Sequence, residues 1–316
     1  MRCWVFDWPG TYAEKAPPGS FHFPDLDVLH PGRRWVFDDE KGQVWIKHQP
    51  VLANEAPKRL LPASGVPPVS EADVLAAIEE KWPKATVVRP KLLPGERHPR
   101  IWRGAFSLPT PAEVQSFVSA ERSAELLRER FRHVLMTIEP EPENRPAFGH
   151  ELRQLLILAS TEVESAWRSV LLANGYPPPR SGRFTTNEYC DLIGPLRLEE
   201  WEVDLAQSPR YGSVAPFRGW DPQRPTESLA WYADQHATKH DREVNLAKAT
   251  LGNVISAMAA LEVMLAAQMG PDGLPDSDSA SSAFRLVGQP TWELEDQYLP
   301  PLVANEIKLV HYSFPP

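Results

Sequence analysis

The sequence predicts an α+β chain: a mainly helical bundle domain with a strand-rich N-terminal region that the C-terminal tail joins. Three observations predict it. Stretches near 110–139, 146–174 and 231–269 repeat apolar residues at steps of three and four, the period of a half-buried helix. The first ~65 residues instead alternate over short runs broken by turns. There are 34 prolines in 316 residues, which forces many irregular connections between these elements.

In chain order, Arg34-Trp-Val-Phe37 and Gln43-Val-Trp-Ile-Lys47 flank Asp38-Asp-Glu-Lys-Gly42, a hairpin with glycine at the tight position. Ser70 with Asp73 three residues on is a helix N-cap, and Val74, Ala77, Ile78 and Trp82 then share a face until Pro83 stops the helix. Thr110-Pro-Ala-Glu113 opens a longer helix with a capping residue, a proline at the first helical position and an acid at the third. It runs through Leu127, Phe131 and Val134 to the Glu139-Pro-Glu-Pro break. Pro146 opens the next helix, with Leu152, Leu155, Ala159, Glu162 and Ala166 on one stripe and Asn174-Gly175 as its C-cap. Residues 176–229 read as a long loop in which Leu196, Leu198, Val203 and Leu205 suggest a short, kinked strand pair. The predicted limits are 1–109 for the strand-rich region with one short helix, 110–270 for the helical domain, 271–283 for a flexible linker, and 284–316 for a strand-forming tail.

A net charge of −9 argues against a generic nucleic-acid coat or a cationic membrane binder. One basic stretch runs against that average: Lys81, Lys84, Arg89, Lys91, Arg97, Arg100 and Arg103 face a single acid, Glu96, and read as a solvated connector. Two cysteines make no disulfide framework, and Met-Arg-Cys-Trp-Val-Phe lacks the apolar stretch of a secretory leader, so a cytoplasmic protein is expected. The apolar run from Ala249 to Met269 carries Asn253 and Glu262 and reads as a core helix, with no membrane partner expected.

Chemistry is suggested at one place. If 231–269 is one helix, Ala233, Ala237, His240, Val244, Ala247, Leu251 and Val254 form its buried stripe, with His240 on it. Packed against the 146–174 helix, His240 would meet Glu162, a carboxylate that orients an imidazole for acid/base work. Lys239 and Arg242 flank it as phosphate clamps, and Glu243 shares its face. This set suits metal-independent cleavage of RNA by its own 2′-hydroxyl. The same residues read equally as a structural clasp in a non-catalytic interaction or dimerisation module. A third reading, a metal-dependent hydrolase, would use His236 and His240 with Glu162, Glu164 or Asp234. The pattern lacks the glutamate that follows the first histidine of metalloprotease helices, so no metal or other cofactor is expected. Cys190 has no histidine near it in sequence, and neither a Gly-x-Ser-x-Gly elbow nor a phosphate-cradling glycine loop is present.

The run Glu151-Leu-Arg-Gln-Leu-Leu-Ile-Leu-Ala-Ser-Thr-Glu162-Val-Glu164-Ser-Ala-Trp167, with Pro216-Phe-Arg-Gly-Trp220, Ser228-Leu-Ala-Trp-Tyr232 and Lys239-His-Asp-Arg-Glu243, resembles a family of uncharacterised bacterial helical proteins. The resemblance covers about residues 130–270. More loosely, paired long helices with an Arg/His cluster resemble HEPN domains. That resemblance implies a ribonuclease or an antiphage or toxin-type effector, with RNA or a protein of such a system as partner; the interaction-module reading instead expects a homodimer formed through the apolar helix faces. HEPN ribonucleases place an arginine shortly before the histidine, whereas here Arg242 follows His240.

Overall fold

In the computed structural model, residues 1–9, 33–40, 42–48, 56–104, 109–271, 283–302 and 307–315 are described. The chain forms two units, Met1–Glu96 with Trp292–Lys308, and Arg97–Thr291 with Leu309–Pro316. It is a mixed α+β protein.

The first unit is an antiparallel sheet built where the sequence alternates. Strands β1 (Arg2–Asp7), β2 (Arg34–Asp38), β3 (Val44–His48), β4 (Lys58–Arg59) and β5 (Thr86–Val88) lie in the order β4-β3-β2-β1-β5. Between β2 and β3 the expected hairpin forms: Gly42 has φ +77° and donates its N–H to the Asp39 carbonyl. Register sets Trp4, Val36 and Ile46 on one face and Cys3, Phe37 and Trp45 on the other. Helix α1 (Glu71–Lys81), capped by Ser70 and Asp73 as expected, covers the first face with Val74, Ala77 and Ile78. The second face packs against Leu294, Leu299 and Leu302. Among the described residues the tail covers this sheet without adding a strand to it, while Lys308–Leu309 pairs with a separate short strand, Glu96–Arg97. Of the predicted 307–314 strand only Lys308–Leu309 has strand geometry.

The second unit is helical. Helix α2 (Pro111–Leu135) begins at the expected box, with Glu113 N–H donating to Thr110 Oγ1 and Thr110 N–H donating back to Glu113. Helix α3 (His150–Ala173) starts four residues later than Pro146, because Phe148 bridges Thr250 and Gly149 is extended, while the Ala147 and Arg145 carbonyls accept N–H groups from Leu251 and Gly252. Gly175, at φ +69°, ends α3 with Tyr176 N–H returning to the Leu171 carbonyl.

The single helix expected over 231–269 is a correction. Helix α4 (Ala230–His240) stops where Asp241 turns extended, a short turn spans Arg242–Asn245, and α5 (Leu251–Met269) begins afresh. Thr250 caps α5 through the Asn253 N–H, and those two carbonyls take the next orphan donors, so this end is satisfied as a helix start. Helix α5 buries fifteen of its nineteen residues and is apolar on all sides, hence the central helix, with α3 packed along it and α2 and α4 beside the pair. Its faces are internal to the chain. It is also long and apolar enough to cross a membrane, but 83% of that window is buried within the chain.

The remaining segments correct two expectations. Leu196 and Leu198 lie in short helical turns joined by Arg197 at φ +48°, and only β6 (Glu202–Leu205) is a strand. Its partner is β7 (Phe284–Gly288), so the first strand of the predicted tail belongs to the helical unit, where Phe284 stacks on Phe131. The linker expected at 271–283 falls mostly outside the described residues.

Candidate functional site

His240, Lys239, Arg242 and Glu243 lie on or just beyond the last turn of α4, and all four are exposed. The buried face of α4 is Trp231, Tyr232, Gln235 and Thr238, rotated away from the Ala233–Ala237–His240 stripe. Two aromatic rings bury far more apolar area than two alanines, so they decide which face turns inward.

Glu162 does not meet His240. Tyr232 Oη donates to Glu164 at 2.8 Å, and Arg153 Nε donates to the Thr238 carbonyl at 3.0 Å, so α3 and α4 run antiparallel. Counted along the axes at the helical rise, Glu162 and His240 are roughly 16 Å apart from the Arg153–Thr238 contact and roughly 9 Å apart from the Tyr232–Glu164 contact. The half-buried Glu162 cannot orient that imidazole. What remains is a surface corner: the His236 and His240 rings lie 4.5 Å apart, one turn apart on α4, beside Lys239 and Arg242. Asp241 is engaged in accepting the Val244 N–H.

The third metal ligands proposed from sequence are otherwise employed. Asp234 accepts from Asn253 Nδ2 at 2.9 Å and pairs with Lys248, while Glu164 accepts from Tyr232. Among the described residues no group of three or more His, Cys, Asp or Glu is placed to hold a metal ion. Burial pushes the Cys190 thiol up to about 12, which makes it a poor nucleophile.

Among the described residues a buried charge pair lies elsewhere. Arg128 of α2 and Glu262 of α5 form a two-pronged ion pair, Nε to Oε1 at 2.7 Å and Nη2 to Oε2 at 2.8 Å, with side chains 1% and 5% exposed. Arg128 Nη1 also donates to Glu121 at 2.5 Å and to Glu125 at 3.3 Å. Burial alone would lower the Arg128 pKa, but the surrounding carboxylates outweigh it and hold the guanidinium charged. Burial also pushes Glu262 up, and Arg128 opposes it. The clasp is sealed from solvent, so it fixes the register of α2 on α5 and offers no face to a substrate. Sequence held a signal for it: Glu262 is the one charged residue in α5, and a helix apolar all round must pair any charge it carries.

Most of the basic stretch is likewise engaged. Arg89 pairs with Glu71, Lys91 with Glu295 and Asp296, and Arg100 donates to Gln268 at 2.7 Å. Arg97, 5% exposed at its side chain, makes two bonds to Glu113. Burial works against the ionised Glu113, but bonds from Arg97 and Thr110 prevail and hold its pKa below the ordinary 4.5.

Helix α3, the 216–220 loop and the start of α4 converge on one aromatic centre. Trp167, wholly buried, lies within 6.4 Å, ring to ring, of Phe217, Trp220, Trp231 and Tyr232. Trp231 Nε1 donates to the Pro216 carbonyl and Trp220 Nε1 to that of Pro225, so the long loop supplies core, not decoration. A separate cleft of about 300 Å³ sits at the end of α2, lined by Arg132, Leu135, Met136, Leu205, Ser208 and Ala283. It is of a size for a small, largely apolar ligand.

No family model, curated protein or solved structure matches this chain.

Proposed function

We propose that the chain is a non-catalytic interaction module whose helical unit is braced by a buried ionic clasp. The observation that carries this reading is Arg128–Glu262: the ion pair is sealed, and its bonds join α2 to α5. The sequence-predicted catalytic set is dispersed, with His240 on the surface and Glu162 two to three turns away. The test compares two variants. E262A should melt far below wild type, whereas H240A should keep the wild-type melting temperature and leave incubated RNA as intact as wild type does. RNA cleavage by the wild-type chain that H240A abolishes would overturn the reading.

A second reading, a HEPN-like metal-independent ribonuclease or antiphage or toxin-type effector, is supported by the exposed histidine pair. Two imidazoles 4.5 Å apart suit a base that takes the 2′-hydroxyl proton and an acid that protonates the leaving 5′-oxygen. Lys239 and Arg242 beside them suit the phosphate. The long α3–α5 pair is in keeping with a HEPN-like helical domain. On this reading H236A and H240A each abolish cleavage of RNA while the fold is unchanged; retention of cleavage in both rules it out.

A further inference from the structure

The last residues of the chain lie in a groove of the helical unit as a ligand would. The Val310 N–H donates to the Arg97 carbonyl at 2.9 Å, and the Val310 carbonyl meets His98 Nδ1 at 2.7 Å. Two residues on, the Tyr312 N–H donates to Asn174 Oδ1 at 2.9 Å. Asn174 is 3% exposed, and its Nδ2 donates to the Pro99 and Val170 carbonyls, which fixes the amide so that its oxygen faces the tail. Hydrogen bonds to the main chain with seats for alternate side chains are how extended peptides are read.

Alternate side chains are also seated. Tyr312 presents its ring to the edge of His98 at 5.2 Å and to the Arg103 guanidinium at 5.5 Å. Phe314 meets Tyr176 edge-on at 5.0 Å. Between them Ser313 is exposed, and so is His311, which passes over Gly175 so closely that a Cβ there would lie 2.9 Å from its Nδ1. Gly175 thus serves twice, as the left-handed cap of α3 and as clearance for a chain lying across it.

We propose that this groove, formed by Arg97–Pro99, Arg103 and Asn174–Tyr176, is a recognition site for an extended peptide of a partner protein bearing aromatic residues two apart. The tail fills it in cis with Tyr312 and Phe314. The occupant class follows from the tail itself, which shows what backbone pattern and which side chains fit. The inference rests on the interaction-module reading and supplies its partner chemistry. An intramolecular tail competes at millimolar effective concentration, so the groove accepts a partner when the tail is weakened or outcompeted.

The experiment uses the full chain and a labelled peptide Leu-Val-His-Tyr-Ser-Phe-Pro-Pro, followed by fluorescence anisotropy. The Y312A/F314A variant, its cis anchors removed, should bind the peptide at least about tenfold more tightly than wild type. The same peptide with alanine at both aromatic positions should not bind. Equal binding by variant and wild type, or binding of the alanine peptide, overturns the proposal. So does loss of cooperative melting in Y312A/F314A, which would make the tail a part of the core. Wild-type dimers that vanish in the variant would overturn the partner-protein occupant in favour of exchange between copies. RNA cleavage lost in H240A sinks the module reading alone, so the two failures are distinguishable.

Discussion

Arg128–Glu262 and His236–Glu243 are both knots of ionisable side chains on helices, and they meet opposite fates. Arg128 sits mid-helix between Leu127 and Phe131, and Glu262 in the middle of an apolar helix, so neither can reach water without unpacking α2 or α5. They pair and are sealed. The His236–Glu243 group lies where α4 ends, and the end of the helix leaves every ionisable member exposed, Asp241 included while it caps the next turn. A charge is forced into a clasp by the helix continuing past it on both sides, not by its own chemistry.

The contrast can be broken in graded steps. The largest effect is expected for E262A: removing one partner strands Arg128 and should cost about 3–5 kcal/mol, roughly 10 °C in melting temperature. If the clasp brings register and not net stability, R128M/E262L should recover most of that loss, because a well-packed apolar pair avoids desolvating two ions. A double variant as unstable as E262A would show instead that Glu121 and Glu125 depend on the guanidinium.

Next in size is E113Q, expected to lose about 1.5–3 kcal/mol through its bonds to buried Arg97. Its pH signature has a definite sign. The folded pKa of Glu113 lies below the ordinary 4.5, so its contribution is complete above about that pH and is lost as pH falls through the lower folded value. Denaturant midpoints measured from neutral pH downward should therefore converge for wild type and E113Q in acid. A constant gap across that range would refute the pairing. Y232F, which removes the hydroxyl bonded to Glu164, should cost about 1 kcal/mol by the same measurement. H240A closes the series with a change within about 0.5 kcal/mol, as befits an exposed side chain; a loss above 2 kcal/mol would return His240 to the interior.

Local signals were well legible. The Ser70 and Thr110 capping boxes, the Gly42 hairpin and the Gly175 cap depend on side-chain-to-backbone bonds within a few residues, and each forms where its residues stand. The break within 231–269 has a non-local cause. The stripe stays in phase across Asp241, but the α5 start is fixed by carbonyls of Arg145 and Ala147, about a hundred positions away in the chain. The Glu162–His240 pairing failed with it, since the α3–α4 register is set by Tyr232–Glu164 and Arg153–Thr238.

The sequence by itself determined the α+β class, the helix starts that carry their own caps, and the reading of 249–269 as a core helix. Periodicity and capping are short-range, so they survive without knowledge of neighbours. Only the tertiary structure decided that Glu262 pairs with Arg128, that His240 faces water, and that the tail lies across Gly175. Which face of a helix turns inward depends on the total apolar area its packing partners can bury, and those partners lie far away along the chain.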